Sequence, residues 1–182
     1  LIKYAITDPK LYGSTEDEFR ESINKVNGFD FILYRDKQSL NYIKFAKIFS
    51  DVLKRRGIDK FLIHQKPFLA KELGAFGVHL SSDQIGEIEI SKKLNLFTVV
   101  SCHSFKDIQL SEGFGADAVT FSPIFETPNK GKPKGLEELQ EAINRFPKIK
   151  IFALGGIKSQ NEFNQLLKVD RLFGFSSIRF FK

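Results

Sequence analysis

His103 is the side chain in this sequence best placed to move a proton. It follows an apolar run, residues 97–100, and lies beside Ser101 and Ser104. An imidazole titrates nearest neutral pH. His64 also ends an apolar run. His79, between Val78 and Leu80, reads as a packed hydrogen-bonding residue inside the fold. Three histidines spread over separate segments make no specific metal pattern. Arg35 and Lys37 close another apolar run, and Lys130 lies in a polar loop, residues 123–131. Such cations suit a substrate carrying carboxylate or phosphate. The alternatives are a salt bridge of Arg35 with Asp36 or Asp8, and solvated lysines. Gly155-Gly156 ahead of a helix has the pattern of a phosphate seat. Glycines admit backbone N–H groups to an anion, and a helix start carries partial positive charge. Ser176 and Ser177, after the last apolar run, supply its second half. Ser101, Ser122 and Thr127 add hydroxyls at similar positions. Cys102 alternates away from Ser101 and His103 and reads as buried and inert.

Nearly all of these residues sit at or just beyond the end of a short strand-like run. The runs cover residues 3–7, 29–34, 61–63, 77–80, 97–100, 118–122, 149–154 and 171–175. Between them, helical spacing covers 15–26, 40–56, 67–73, 85–94, 104–112, 135–146 and 160–167. Thr15 with Glu18, and Ser104 with Asp107, have capping-box spacing. Pro67 opens a helix, and Gly57 and Gly74 stop helices. The alternation predicts an α/β fold, a compact TIM (β/α)8 barrel with a short or absent final helix, residues 1–182 forming one domain. The C-terminal strand ends then share one rim, and a one-residue slip would turn a side chain to the other face. Residues 117–157 are the centre of the reading: strand, polar loop, helix, strand and glycine turn in one βαβ unit.

Bulk composition narrows the function classes. The chain has 182 residues, 42% hydrophobic and 27% charged, which is ordinary globular usage. Its 20 phenylalanines read as core packing. The net charge of +6 is scattered, and its densest run, Lys54-Arg55-Arg56, ends a helix where basic residues are favoured. No nucleic-acid-binding signature appears. One cysteine gives no intrachain disulfide. The apolar runs are too short to span a membrane, and the first residues read as a strand and not a signal peptide. A cytoplasmic enzyme of small molecules, with no nucleic-acid or membrane partner, is the expectation.

Five phrases in order resemble one family. They are Arg35-Asp36-Lys37, Gly77-Val78-His79-Leu80, Val100-Ser101-Cys102-His103-Ser104, Ser122-Pro123-Ile124-Phe125-Glu126-Thr127 with Lys130, and Ala153-Leu154-Gly155-Gly156-Ile157. Together they are similar to the thiamine phosphate synthase and thiazole tautomerase (TenI-like) superfamily. The likeness runs from Tyr4 to Ile178. It implies a TIM barrel and a small phosphorylated thiazole substrate. Synthases of the family join hydroxymethylpyrimidine diphosphate to thiazole phosphate and release pyrophosphate, with magnesium. Leu33 stands where their strand-two glutamine would be, and His64-Gln65 where they carry Asn-Asp. Gln84 takes the position of a metal-binding Asp, unless Asp83 substitutes. These departures point to the tautomerase branch, which isomerises a thiazole carboxylate phosphate without metal or cofactor. On that reading His103 moves the proton and Arg35, Lys37 and Lys130 orient the anion. Gly155, Gly156, Ser176 and Ser177 hold phosphate, with Thr127 and Ser101 lining the site. A divergent synthase, with magnesium as its cofactor, and a noncatalytic metabolite-binding barrel are the alternatives. A homo-oligomer is left open.

Overall fold

The computed structural model describes residues 1–37 and 39–182. Eight parallel strands close into a barrel in sequence order. They are β1 (Ile2–Ile6), β2 (Phe31–Tyr34), β3 (Phe61–His64), β4 (Gly77–Leu80), β5 (Phe97–Cys102), β6 (Ala118–Phe121), β7 (Lys150–Leu154) and β8 (Gly174–Ser177). β8 pairs back onto β1, with Tyr4 opposite Ser176. The helices are α1 (Pro9–Tyr12), α2 (Glu16–Lys25), α3 (Tyr42–Arg55), α4 (Pro67–Glu72), α5 (Ile88–Lys93), α6 (Phe105–Gly113), α7 (Gly135–Arg145) and α8 (Gln160–Leu166). A 3₁₀ turn, Ser82–Glu87, leads into α5. The predicted TIM barrel is therefore present, and its last regular element is a strand. Among the described residues, no helix is long and apolar enough to cross a membrane.

Strand alternation divides the core in two. Side chains of one parity face the barrel interior, where Tyr4, Ile6, Phe31, Leu33, Leu62, Val99, Ala118 and Phe152 pack together. The other parity faces the helices and joins a larger cluster that includes Phe49, Val78, Val100, Phe121 and Phe175. The lower interior is aromatic. Phe31 meets Phe76, Phe97 and Phe152 with ring centroids 5.4, 5.7 and 6.1 Å apart. Gly174 makes room for this plug, because a Cβ there would lie 2.3 Å from the Ile2 carbonyl oxygen and 2.8 Å from the Phe152 ring.

Two local differences from the sequence reading have physical causes. Asp8-Pro9 does not simply stop β1. Asp8 accepts a hydrogen bond from the Lys10 N–H at 2.9 Å, and Pro9 opens α1. The last strand is residues 174–177, not 171–175. Arg171 sits in the left-handed region at φ 58°, which ends the preceding turn, and pairing starts with Ile2 opposite Gly174. Ser176 and Ser177 thus belong to β8 rather than to a loop beyond it.

Candidate functional site

The upper interior is polar, as period-two alternation requires once the lower residues are placed. His64 follows Leu62, His79 follows Gly77, Ser101 follows Val99, Thr120 follows Ala118 and Ser176 follows Gly174, each two residues on. The Tyr4 hydroxyl lies 2.9 Å from His79 Nδ1, and His79 Nε2 lies 3.0 Å from the Ser101 hydroxyl. Both histidines are held neutral. Burial pushes the His64 imidazole down to about 3, with Arg35 and Lys37 adding to it. Burial, then His64 and Arg35, holds His79 well below its ordinary range. His64 Nδ1, Thr120 Oγ1 and Ser176 Oγ are buried with no hydrogen-bond partner among the described residues. Sequence reasoning does not single out Tyr4 and Thr120, although counting by two from Ile6 and Ala118 places them inside.

Above this layer three cations converge. Arg35 continues β2, its backbone N–H donating to Thr7 Oγ1 at 3.0 Å. Its guanidinium is 4.0 Å from the Asp8 carboxylate. Burial lowers the Lys37 ammonium from its usual range. The charges of Arg35 and Lys130 lower it further, and Asp83 opposes them. Lys37 therefore feels charges from the β2, β4 and β6 loops, those of Arg35, Asp83 and Lys130.

The loops after β3 and β4 are clasped by amides. Gln65, at φ 63°, donates from Nε2 to the Ser81 hydroxyl at 3.0 Å. Gln84 Oε1 accepts from the Ser81 N–H at 3.1 Å. Gln84 Nε2 donates to the Gln65 carbonyl and to Glu87, each at 3.1 Å. The carboxylates of this group are Asp83 and Glu87, and both are engaged within it, Asp83 by the Ser81 hydroxyl at 2.5 Å and Glu87 by Gln84 Nε2 at 3.1 Å. Magnesium selects hard anionic oxygens in octahedral geometry. Gln65 and Gln84, neutral amides committed to the loop, do not match the pair of carboxylates expected at their positions.

The loop after β6 forms the opposite wall. The Ser122–Pro123 peptide is cis. The Ile124 and Phe125 N–H groups donate to the Leu154 and Gly155 carbonyls at 2.9 and 3.0 Å. A Cβ on Gly156 would lie 2.6 Å from Phe125 Cβ, and one on Gly155 would lie 2.8 Å from Pro123 Cα. The glycine pair is thus required by the close approach of this loop. Thr127 donates to the Phe125 carbonyl at 3.0 Å, and the Lys130 N–H closes a turn onto the Thr127 carbonyl at 3.2 Å. His103 borders this wall, its Nδ1 3.2 Å from the Ser122 hydroxyl and 3.3 Å from the Ser122 carbonyl. Cys102 is buried, and burial pushes its thiol up to about 12.

The second half of the expected phosphate seat is arranged differently from the sequence reading. Ser177 Oγ donates to the Ile157 carbonyl at 2.6 Å and accepts from the Arg179 and Phe180 N–H groups at 3.1 Å. It ties the β7 and β8 loops together. Ser159 and Glu162 cap the start of α8, with the Glu162 carboxylate accepting from the Lys158 and Ser159 N–H groups. That helix end already carries its own anion.

Comparison with known proteins fits this geometry. The family described as thiamine monophosphate synthase matches residues 3–172. A protein of Aquifex aeolicus, provisionally named thiamine-phosphate synthase 2, is 32% identical over 165 residues, 85% of this chain and 84% of that protein. Thiamine-phosphate synthase of Caldicellulosiruptor saccharolyticus is 28% identical over 169 residues, 83% of this chain and 74% of that protein. The solved thiamine phosphate pyrophosphorylase of Pyrococcus furiosus is 25% identical with a TM-score of 0.77, covering 98% of this chain and 85% of that one. These relatives carry synthase names, and they overturn the expected assignment to the tautomerase branch. That assignment rested on Leu33, Gln65 and Gln84, a few rim positions, against similarity spread over nearly the whole barrel. On that similarity, the chain belongs to the thiamine monophosphate synthase family.

Proposed function

We propose that this chain is a transferase of thiamine-phosphate synthesis, joining hydroxymethylpyrimidine diphosphate to thiazole phosphate with release of pyrophosphate. The observation that carries the reading is the convergence of Arg35, Lys37 and Lys130 above a neutral polar interior. Breaking the bond to a diphosphate transfers negative charge to the leaving group. Fixed cations placed before the reaction stabilise that charge most where water is excluded. On this reading Arg35, Lys37 and Lys130 hold the diphosphate. The thiazole phosphate lies beside Thr127, on the wall where Gly155 and Gly156 let the β6 loop pack closely. Ser101, His79 and His64 present neutral polar groups to the ring, and His103, with Ser122, edges the mouth. Ser176 reaches the same interior, while Ser177 serves by holding the β7 and β8 loops.

The test is product formation by the purified chain from both substrates, followed by separation of thiamine phosphate. The wild type is expected to form product, and Lys37→Ala to lose about 100-fold in turnover, the scale of removing one charge-stabilising donor. No product from the wild type, with or without magnesium, would sink the synthase reading.

A further inference from the structure

The rim holds neutral amides where a metal seat would need anions. The positions where the family resemblance places metal carboxylates carry Gln65 and Gln84. Both amides are spent on the loop. Gln84 uses its oxygen on Ser81 and its nitrogen on the Gln65 carbonyl and Glu87, while Gln65 reaches the Ser81 hydroxyl. Asp83, on the same turn, is held below the usual carboxylate range by the Ser81 hydroxyl first and by Lys37 among the remaining causes. Among the described residues, no group of three His, Cys, Asp or Glu side chains is arranged as a metal seat. On the same rim Lys37 feels the charges of Arg35 and Lys130, with Asp83 of the clasp's turn opposing them.

We propose that this rim binds diphosphate directly on Arg35, Lys37 and Lys130, without help from a divalent cation, the Gln65–Ser81–Gln84 clasp fixing the wall where the metal's ligands would stand. The proposal rests on the synthase reading for its ligand. Charge balance is its physical basis. A diphosphate needs several positive charges beside it, and either a cation with its carboxylates or protein side chains can supply them. Here the side chains are present and the carboxylate pair is replaced.

The experiment is calorimetric titration of the purified full chain with inorganic pyrophosphate, once in EDTA and once in magnesium chloride. Binding is expected in EDTA, with no tightening when magnesium replaces the chelator. Lys37→Ala is expected to weaken it about tenfold, the loss of one charge-assisted contact. The double variant Gln65→Asp with Gln84→Asp rebuilds two carboxylates facing the ligand. Its pyrophosphate binding is expected to become magnesium-dependent, by about tenfold or more. Asp is tolerated at the left-handed position of Gln65. Wild-type binding seen only with magnesium, or tightened tenfold by it, overturns the proposal. So does unchanged binding in Lys37→Ala. The two readings fail separately. Pyrophosphate bound in EDTA with no thiamine phosphate formed would uphold the metal-free site and remove the synthase assignment. Product and pyrophosphate binding that both require magnesium would do the reverse.

Discussion

The lower and upper halves of the barrel interior are built from opposite materials. Below, Phe31, Phe76, Phe97 and Phe152 fill the space with rings in edge and tilted contact. Above, on the same strands, His64, His79, Ser101, Thr120 and Ser176 line the interior, and His64 Nδ1, Thr120 Oγ1 and Ser176 Oγ have no partner among the described residues. Aromatic burial stabilises a fold, and a buried polar atom without a partner costs free energy. The lower half therefore carries stability, and the upper half spends some of it to keep groups ready for a ligand. The largest expected effect follows directly. Phe31→Ala opens a cavity among packed rings and should cost about 3–5 kcal/mol, lowering the melting temperature by about 10 °C. Pyrophosphate affinity, measured below the lowered melting point, should be unchanged. A loss of affinity as large as the loss of stability would show that the two halves are not separable.

Much of this division is legible in the residue order alone. The eight apolar runs place the barrel, and the residues at their ends place Arg35, Lys37, His103 and Lys130 on the rim. The boundary of β8 is not legible there, because Leu172 and Phe173 continue an apolar run that only the φ of Arg171 interrupts. Nor is the use made of Gly155-Gly156. The pair reads as an open phosphate seat, but Pro123 and Phe125 press against it from a loop more than 25 residues away in sequence. The branch of the family is misread for a related reason. Gln65 and Gln84 read as missing metal ligands, and their part in the clasp with Ser81 depends on the contact between two loops.

The histidines of the upper half should make the fold acid-sensitive. His64 is 4% exposed, and its imidazole is pushed down to about 3 in the folded chain. Its value in the unfolded chain is about 6.5. The folded pKa is the lower one, so between these values the unfolded chain binds the extra proton. The His64 contribution is then fully present above about 6.5 and is lost as pH falls toward about 3, by up to about 1.4 kcal/mol per pH unit. His79 is shifted in the same direction. Thermal melts of the wild type should fall steadily from pH 7 to pH 4, and His64→Asn should fall less steeply. Parallel profiles for the two proteins would mean that His64 does not stay neutral in the folded barrel.

The smallest effect separates rim charge from fold stability. Asp8 has two jobs, receiving the Lys10 N–H at the start of α1 and facing the Arg35 guanidinium at 4.0 Å. Asn caps a helix about as well as Asp, so Asp8→Asn removes the charge and keeps the cap. Both side chains of the pair are 25% exposed and the contact is long, so its loss should cost less than about 1 kcal/mol. The melting temperature should hardly move. Arg35, released from its carboxylate, should bind pyrophosphate as well as before or a few-fold better in EDTA, and more so at low salt, where charges act over longer range. Weaker pyrophosphate binding in Asp8→Asn would mean that Asp8 positions the guanidinium rather than competing for it, and Arg35 would then be aimed at the ligand by its neighbour rather than by β2.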